Sequence, residues 1–193
     1  IDSCGKARDA DRAFEVLDAM RSGALSCAAR GIEPNTYVYN CLIDACSKAG
    51  QVDRAFGALE MMREADVRPD TITYTSLIDA SAKAGRLDQA FEVREMMRDA
   101  SVEANTATYT ALIDCCSRVR DVDRAFEVLV EMMSEGVKPN TATFTSLIDC
   151  AGKAGELERA FELLNHMRQQ GIEPNAATYT ALIDCCGKAQ QVE

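Results

Sequence analysis

The sequence predicts an all-α solenoid of helix-turn-helix repeats, and three observations carry that prediction. Four consecutive blocks of 35 residues are near-copies of one another, here called the first to fourth repeats: 36–70, 71–105, 106–140 and 141–175. Apolar residues in each block recur with a helical period, and no segment of useful length alternates as a strand would. A fixed period of this length is typical of stacked units that cannot bury their apolar faces alone.

The first half of each repeat is predicted to be a helix. In the first repeat one apolar stripe has the spacing i, i+3, i+4, i+7: Tyr39, Leu42, Ile43 and Cys46. A glycine, the usual residue after a helix end, follows three of these helices: Gly50, Gly85 and Gly155. Arg120 stands at the same place in the third repeat, so we expect that turn to differ.

The second half of each repeat is predicted to be another helix. Its stripe in the first repeat is Val52, Ala55, Phe56, Leu59 and Met62. The first turn of each second helix holds an acidic residue, which the helix dipole favours: Asp53, Asp88, Asp123 and Glu158. Residues 1–35 contain the tail of another repeat, and 176–193 begin a sixth unit. The chain should therefore form about eleven helices in one solenoid domain.

The predicted core also recurs in register. Leu-Ile pairs occupy one place in every unit: Leu42-Ile43, Leu77-Ile78, Leu112-Ile113, Leu147-Ile148 and Leu182-Ile183. Ala-Phe pairs occupy another: Ala13-Phe14, Ala55-Phe56, Ala90-Phe91, Ala125-Phe126 and Ala160-Phe161. We expect the alanine to let helices approach closely while the ring fills the remaining gap. A series of methionines is interpreted as core packing: Met20, Met62, Met97, Met132 and Met167.

One irregularity lies near residues 23–29, where the first 35 residues hold about seven more than the repeat pattern needs, roughly two helical turns. These residues either lengthen the preceding helix or form a loop after Gly23. Their composition, Ala-Leu-Ser-Cys-Ala-Ala, favours the longer helix. Because the chain begins and ends inside a repeat, we expect further repeats of the same chain at both ends.

The composition argues against several functions. No Gly-rich phosphate loop or nucleophile elbow is present, and His166 is the only histidine, so we expect no enzyme, cofactor or small-molecule substrate. No apolar run is long enough to span a bilayer, so no membrane partner is expected. The nine cysteines show no C-x-x-C spacing, and adjacent ones point about 100° apart on a helix. We therefore predict no metal site, apolar packing for the thiols, and a reducing compartment.

The repeat resembles the pentatricopeptide repeat. Its unit reads T-x-T-Y-T-S-L-I-D-x-x-x-K-A-G-x-L-D-x-A-F-E, with M-R and P-N further on. The tetratricopeptide repeat has a Trp-Leu-Gly-Tyr pattern, whereas this chain has no Trp. The resemblance implies a right-handed superhelix whose first helices line a concave surface for single-stranded RNA. It also implies a chloroplast or mitochondrial protein in RNA processing, stability or translation.

The resemblance further implies that each repeat reads one base through its fifth and last residues. The implied pairs and single residues are Asn40 with Asp70, Thr75 with Asn105, Thr110 with Asn140, Thr145 with Asn175, and Asn35 and Thr180. In the family, Asn with Asp favours uracil, Thr with Asn favours adenine, and such a Thr alone goes with a purine. The implied target is 5′-UAAA-purine-3′. An Asn or Asp before a helix is also an ordinary N-cap, and one residue can do both.

Two further columns bear on RNA. The family places cations along the phosphate path, here Lys6, Lys48, Lys83, Arg118, Lys153 and Lys188. An Asp lies four residues before each of these cations. Pairing with that Asp on the same helix is therefore as well supported as contact with phosphate. The second residue of each unit sandwiches a base in the family: Tyr37, Ile72, Ala107, Ala142 and Ala177. Because a methyl group covers little of a base, stacking should weaken toward the C-terminus.

The charge balance favours a second hypothesis. The chain holds 21 Lys and Arg against 31 Asp and Glu, a net charge of −10, whereas nucleic-acid binders are usually basic. Any RNA binding should therefore be weak and sensitive to salt. The alternative is a scaffold that binds a protein partner in a larger organellar complex, through the concave surface or the outer helices.

Overall fold

The computed structural model describes residues 10–22 and 32–189, with side chains as far as residue 187. These residues form ten helices and no strand: α1 (Ala10–Ser22), α2 (Thr36–Ala49), α3 (Val52–Glu64), α4 (Thr71–Lys83), α5 (Leu87–Asp99), α6 (Thr106–Val119), α7 (Val122–Ser134), α8 (Thr141–Ala154), α9 (Leu157–Gln169) and α10 (Ala176–Ala189). The predicted all-α class of helix-turn-helix repeats is confirmed. The eleventh predicted helix and the irregularity at 23–29 lie outside the described residues.

The chain divides into two compact units, residues 1–103 and 104–193. In the first unit, α2 packs on α4, and each packs on the second helix of its own repeat, α3 or α5. In the second unit, α6, α8 and α10 pack in series, with α7 and α9 against α6 and α8 respectively. Within each unit, stacking therefore runs through the first helices of the repeats.

Each first helix begins at a capping side chain. The N-caps of the complete repeats accept a hydrogen bond from the backbone N–H of the third helical residue: Asn35, Asp70, Asn105 and Asn140. Asn175 does the same for α10, with 3.0 Å between its Oδ1 and the Thr178 nitrogen. The N-cap interpretation of these residues is confirmed.

The turn after the first helix has one geometry in all four repeats. Gly50, Gly85 and Gly155 adopt left-handed backbone conformations with φ of 72°, 69° and 81°. Arg120 adopts the same conformation with φ of 62°, and its N–H reaches the Cys116 and Ser117 carbonyls. The expectation that this turn differs is wrong. Arg120 differs from the three glycines only in energy, because a residue with a Cβ adopts the left-handed conformation at a cost of roughly 1–2 kcal/mol.

Most of the predicted core is buried. The Leu-Ile pairs of the four complete repeats are at most 1% exposed, and Leu182 is 5% exposed. Ile183, expected in the core with them, is 70% exposed. The complete repeats each carry a second helix after this position, and no such helix follows α10 within the described residues.

Only the alanine of each Ala-Phe pair is buried as predicted. Their alanines are buried, but the rings of Phe14, Phe56, Phe91 and Phe126 are half-buried and Phe161 is 44% exposed. Adjacent helical residues point about 100° apart, so both cannot face one contact. The rings lie at the surface, where the guanidinium carbons of Arg54 and Arg159 stand 4.3 Å from the Phe14 centroid and 5.7 Å from the Phe126 centroid.

The fourth residue of each complete repeat supplies the large core ring instead. Tyr39, Tyr74, Tyr109 and Phe144 are all at most 1% exposed. Each stands one residue before the fifth position, so burial of this ring anchors the backbone from which the fifth side chain projects.

The described cysteines are free thiols, and Cys46, Cys115, Cys116, Cys150 and Cys185 are buried. Burial raises the pKa of Cys46 and Cys115 to about 11 and that of Cys116 and Cys150 to about 12. These thiols are neutral packing groups, as predicted. Among the described residues, no group of three or more His, Cys, Asp or Glu side chains could hold a metal ion. None of the described helices is long and apolar enough to cross a membrane.

Candidate nucleic-acid interface

A buried threonine organises the start of the first helices, and sequence reasoning did not single it out. It is the third residue of its unit and has no exposed surface at any of its four occurrences: Thr73, Thr108, Thr143 and Thr178. The signal was the recurring T-x-T that opens three of the blocks. The threonine hydroxyl accepts the N–H of the N-cap while the N-cap side chain accepts the threonine N–H, a reciprocal capping box.

In the first unit, this threonine joins the predicted pair Asn40 and Asp70 in one cluster. Asn40 Nδ2 donates to Asp70 Oδ1 at 3.0 Å. Thr73 Oγ1 lies 2.6 Å from Asn40 Oδ1 and 3.0 Å from Asp70 Oδ1, and the Thr73 N–H donates to the same carboxylate oxygen at 2.9 Å. Asn40 is 8% exposed. Two residues thirty positions apart in sequence are thus held as a pair by the next repeat.

The environment keeps Asp70 charged. Burial raises its pKa, but the Thr73 backbone N–H, the Asn40 amide and the Thr73 hydroxyl lower it by more, so the net pKa is below the ordinary value. An ionised carboxylate accepts hydrogen bonds and donates none, with about four lone-pair sites on its two oxygens. The cluster can therefore offer a negative acceptor to a ligand.

In the second unit, the same positions are joined through hydroxyl groups. The Thr110 and Thr143 Oγ1 atoms are 3.1 Å apart, and Asn140 Oδ1 accepts from the Thr143 N–H at 3.0 Å and lies 3.1 Å from the Thr143 hydroxyl. The next repeat has the same arrangement. There the Thr145 and Thr178 Oγ1 atoms are 2.8 Å apart. Asn175 Oδ1 lies 3.0 Å from the Thr178 nitrogen and 3.1 Å from the Thr178 Oγ1.

These contacts decide which polar groups remain available in the second unit. The Asn140 oxygen accepts the Thr143 backbone N–H, and the Asn140 NH₂ group is left to donate. The Thr110 hydroxyl donates to the Thr106 carbonyl at 2.8 Å, so the Thr143 hydroxyl is the donor in the bond between the two threonines. One lone pair of the Thr110 oxygen is then left to accept. The last residue of the repeat therefore presents donors here, where Asp70 presents a charged acceptor.

The other predicted reading residues lie at helix starts as well. Asn105 caps α6 with its Oδ1 3.0 Å from the Thr108 nitrogen, and Thr75 is half-buried on α4. Asn35 Oδ1 accepts the Val38 N–H at 3.2 Å, and with valine in third place no hydroxyl bridge forms there. Thr180 is exposed and donates to the Ala176 carbonyl at 2.8 Å.

The second-position side chains face solvent. Tyr37 is 69% exposed and Ile72 62% exposed. The alanines of this column are exposed too: Ala107, Ala142 and Ala177. All five lie in the first turn of a first helix, three residues before the fifth position, so they are accessible to a ligand that reaches the reading residues.

Three of the predicted cations are paired with aspartates along their own helices. Lys48 Nζ lies 2.5 Å from Asp44 Oδ2, and Lys153 Nζ lies 2.5 Å from Asp149 Oδ2. Lys83 pairs in the same way with Asp79. The intrahelical interpretation is confirmed for these three. Phosphate contact stays a prediction. Arg118 is exposed on α6, while Lys6 and the side chain of Lys188 lie outside the described residues.

A serine from the preceding repeat completes two of these pairs. Ser47 Oγ donates to Asp79 Oδ2 at 2.9 Å and accepts from Lys83 Nζ at 3.1 Å. Ser117 Oγ likewise donates to Asp149 Oδ2 at 2.8 Å and accepts from Lys153 Nζ at 3.1 Å. A carboxylate and an ammonium are therefore both held in place between adjacent repeats, with no net charge.

Comparison with known families decides what these repeats are. The pentacotripeptide-repeat region of PRORP matches residues 86–193, more than half of the chain. The chain belongs to the pentatricopeptide repeat family. The PPR repeat family also matches residues 34–83, and a PPR repeat matches 1–23. The resemblance predicted from the sequence is confirmed. No curated protein matches the chain.

Solved pentatricopeptide repeat structures share the fold. The crystal structure of PPR10 from maize is 28% identical, with a TM-score of 0.75 over 98% of this chain and 26% of PPR10. PPR10 in complex with an 18-nt psaJ RNA element has a TM-score of 0.80 at 28% identity, covering 98% and 27%. The PPR domain of Arabidopsis thaliana protein-only RNase P 1, in complex with tRNA, has a TM-score of 0.73 at 20% identity, covering 96% and 94%. This chain spans about a quarter of the length of PPR10.

Proposed function

We propose that this protein binds single-stranded RNA and reads one base per repeat through the fifth and last residues. The observation that carries the proposal is the coupling of these two positions, directly in Asn40–Asp70 and through a buried threonine hydroxyl in the second unit. A pair held this firmly presents one fixed pattern of donors and acceptors. One of the PPR10 structures that share the fold contains an RNA element, and that of the RNase P 1 PPR domain contains tRNA.

The polar groups left available support the base preferences. Uracil presents an N–H donor beside a carbonyl acceptor, which complements the Asp70 carboxylate and the second N–H of Asn40. Adenine presents a ring-nitrogen acceptor beside an amino donor, which complements the Asn140 NH₂ group and the Thr110 lone pair. We propose the target 5′-UAAA-purine-3′, with Thr75 and Asn105, Thr145 and Asn175, and Thr180 reading the other positions.

The backbone of the RNA would lie along the cation column. Each of Lys48, Lys83 and Lys153 has an aspartate partner, so a phosphate must compete with that carboxylate. Together with the net charge of −10, this predicts weak binding that falls steeply with salt. We propose a role in processing, stability or translation of transcripts in a chloroplast or mitochondrion.

The first test is a titration of labelled single-stranded UAAAA and of CCGCU by fluorescence anisotropy, each at low and moderate salt. We expect a preference for UAAAA and weaker binding at the higher salt. Equal binding of both oligonucleotides, or binding of neither at low salt, would overturn the proposal.

The reading residues are tested by exchanging the two kinds of cluster. Thr110→Asn with Asn140→Asp should move the preference at the third base from A to U by on the order of tenfold. The reciprocal control, Asn40→Thr with Asp70→Asn, should move the first base from U to A. Each change must leave the other bases unaffected, and a uniform loss of affinity would contradict base reading.

A further inference from the structure

The outer face of the third repeat differs from that of the repeats before it. In the first repeat, Glu60 and Arg63 form an ion pair at 3.1 Å on α3, and Glu95 and Arg98 form the equivalent pair on α5. The third repeat has Val130 and Met133 at these places, 65% and 45% exposed. An ion pair is thus replaced by two solvent-facing apolar side chains, which is typical of a surface that meets a partner.

Val130 lines a groove on the second helices of the second unit. The groove between α7 and α9 has a volume of about 890 Å³, and its lining includes the apolar side chains of Phe126 and Val130. Phe126, Val130 and Met133 follow the spacing i, i+4, i+7 along α7, a stripe of roughly two helical turns. Met133 thus extends the apolar lining of the groove, Phe126 and Val130, along α7. The stripe has the length and direction that suit a second helix laid along it.

The rim of the groove is acidic. Its carboxylates are Asp123, Glu127, Glu131 and Glu162. The one cation in the lining, Arg159, is bound at 2.9 Å by both Asp123 and Glu156. Glu127 and Glu162 form no ion pair with any residue that the structure describes. Negative charge is therefore in excess around the apolar stripe, which repels a polyanion and attracts cationic side chains.

We propose that this groove binds a basic amphipathic helix of a partner protein. The apolar face of that helix would cover Phe126, Val130 and Met133, and its Lys or Arg side chains would reach Glu127 and Glu162. The surface is built by the second helices, whereas the proposed RNA-reading residues belong to the first helices and their caps. The inference thus goes beyond RNA binding and does not depend on it.

The test uses two labelled 18-residue helical peptides with the same leucine stripe, one carrying lysines and the other glutamates on the polar face. We expect the intact chain to bind the lysine peptide at least tenfold more tightly than the glutamate peptide in an anisotropy titration. No binding of the lysine peptide, or equal binding of both, would overturn the proposal.

The decisive variant is Val130→Glu with Met133→Arg, which introduces the ion pair of the first two repeats and leaves the net charge unchanged. It should keep the helical circular dichroism and lose at least tenfold in affinity for the lysine peptide. Unchanged affinity would show general attraction to an acidic protein and overturn the site.

The matched control, Glu60→Ala with Arg63→Ala on α3, should leave peptide binding as it was. RNA affinity should not change in either variant, and its loss with the changes on α7 would overturn the assignment of this face to a protein.

Discussion

The two units present different polar groups on the same repeat backbone. In the first, a carboxylate and an amide touch directly, with Asp70 accepting from Asn40 at 3.0 Å. In the second, an amide and a hydroxyl are joined through a further hydroxyl, as in Thr110, Thr143 and Asn140. The backbone that places these groups is capped in the same way in both units. Recurring residues therefore build the repeat, and the variable ones decide what it offers to a ligand.

The units also differ in how they end their second helices. The left-handed residue there is Asp66 or Ser101 in the first unit, with φ of 54° and 55°. In the second unit it is Gly136 or Gly171, with φ of 74° and 71°. Since glycine adopts this conformation without a steric cost, the second unit makes the same turn with less strain.

The largest expected effect tests the charged cluster against the neutral one. Thr73→Val removes the hydroxyl that serves Asp70 and Asn40, and should lower the free energy of unfolding by about 2–3 kcal/mol. Thr143→Val removes hydrogen bonds between neutral groups only and should cost about 1 kcal/mol. Urea unfolding followed by circular dichroism measures both. Equal losses would show that the charge of Asp70 adds nothing to the cluster.

A second comparison concerns two helical glycines. A Cβ added at Gly152 would stand 2.9 Å from the Cys185 Cβ and 3.4 Å from its Cα, whereas at Gly57 nothing lies within 4 Å. Gly152→Ala should therefore destabilise by roughly 1–3 kcal/mol through overpacking between α8 and α10. Gly57→Ala should stabilise α3 by about 0.5–1 kcal/mol. Thermal unfolding of the two variants should shift in opposite directions, and a stabilised Gly152→Ala protein would refute the close approach.

Replacing the left-handed residues that carry a Cβ with glycine should remove the differences in turn strain between the repeats. Arg120→Gly and Ser101→Gly should each stabilise by about 0.5–1 kcal/mol, since the relief of left-handed strain exceeds the entropy that glycine loses. Asp66→Gly should gain less, because aspartate tolerates this conformation better. Gly136→Ser is the reverse control and should destabilise. Denaturation midpoints that do not follow this order would contradict the strain argument.

The smallest expected effect is a pH dependence confined to the first unit. The pKa of Asp70 is lower in the folded chain than its ordinary value of 3.8. Its contribution to stability is therefore present above 3.8 and is lost as the pH falls through the lower, folded value. The Asp70→Asn variant should lack that part of the acid destabilisation, because an asparagine, such as Asn140 at the equivalent position, does not ionise. An identical loss of stability in acid for the variant and the parent chain would contradict the lowered pKa.

The sequence by itself determined the repeat, its helices and most of its core. The 35-residue period and the apolar stripes located the helices, and the Asn or Asp before each first helix identified its cap, because these features depend only on neighbours a few residues away. The same local reasoning failed for the Ala-Phe pairs, where it could not say which of two adjacent residues faces inward. It also failed at Arg120, where the surrounding turn imposes a conformation that the residue itself disfavours.

The tertiary structure alone decided which distant groups meet. The buried threonine that joins the fifth and last residues belongs to the following repeat, so its role depends on how adjacent first helices stack. The serines that complete two Asp–Lys pairs come from a preceding repeat in the same way. The groove beside Val130 likewise exists only once α7 and α9 lie side by side. A hydrogen bond requires atoms within about 3 Å, and no sequence spacing of thirty residues specifies that distance until the helices have packed.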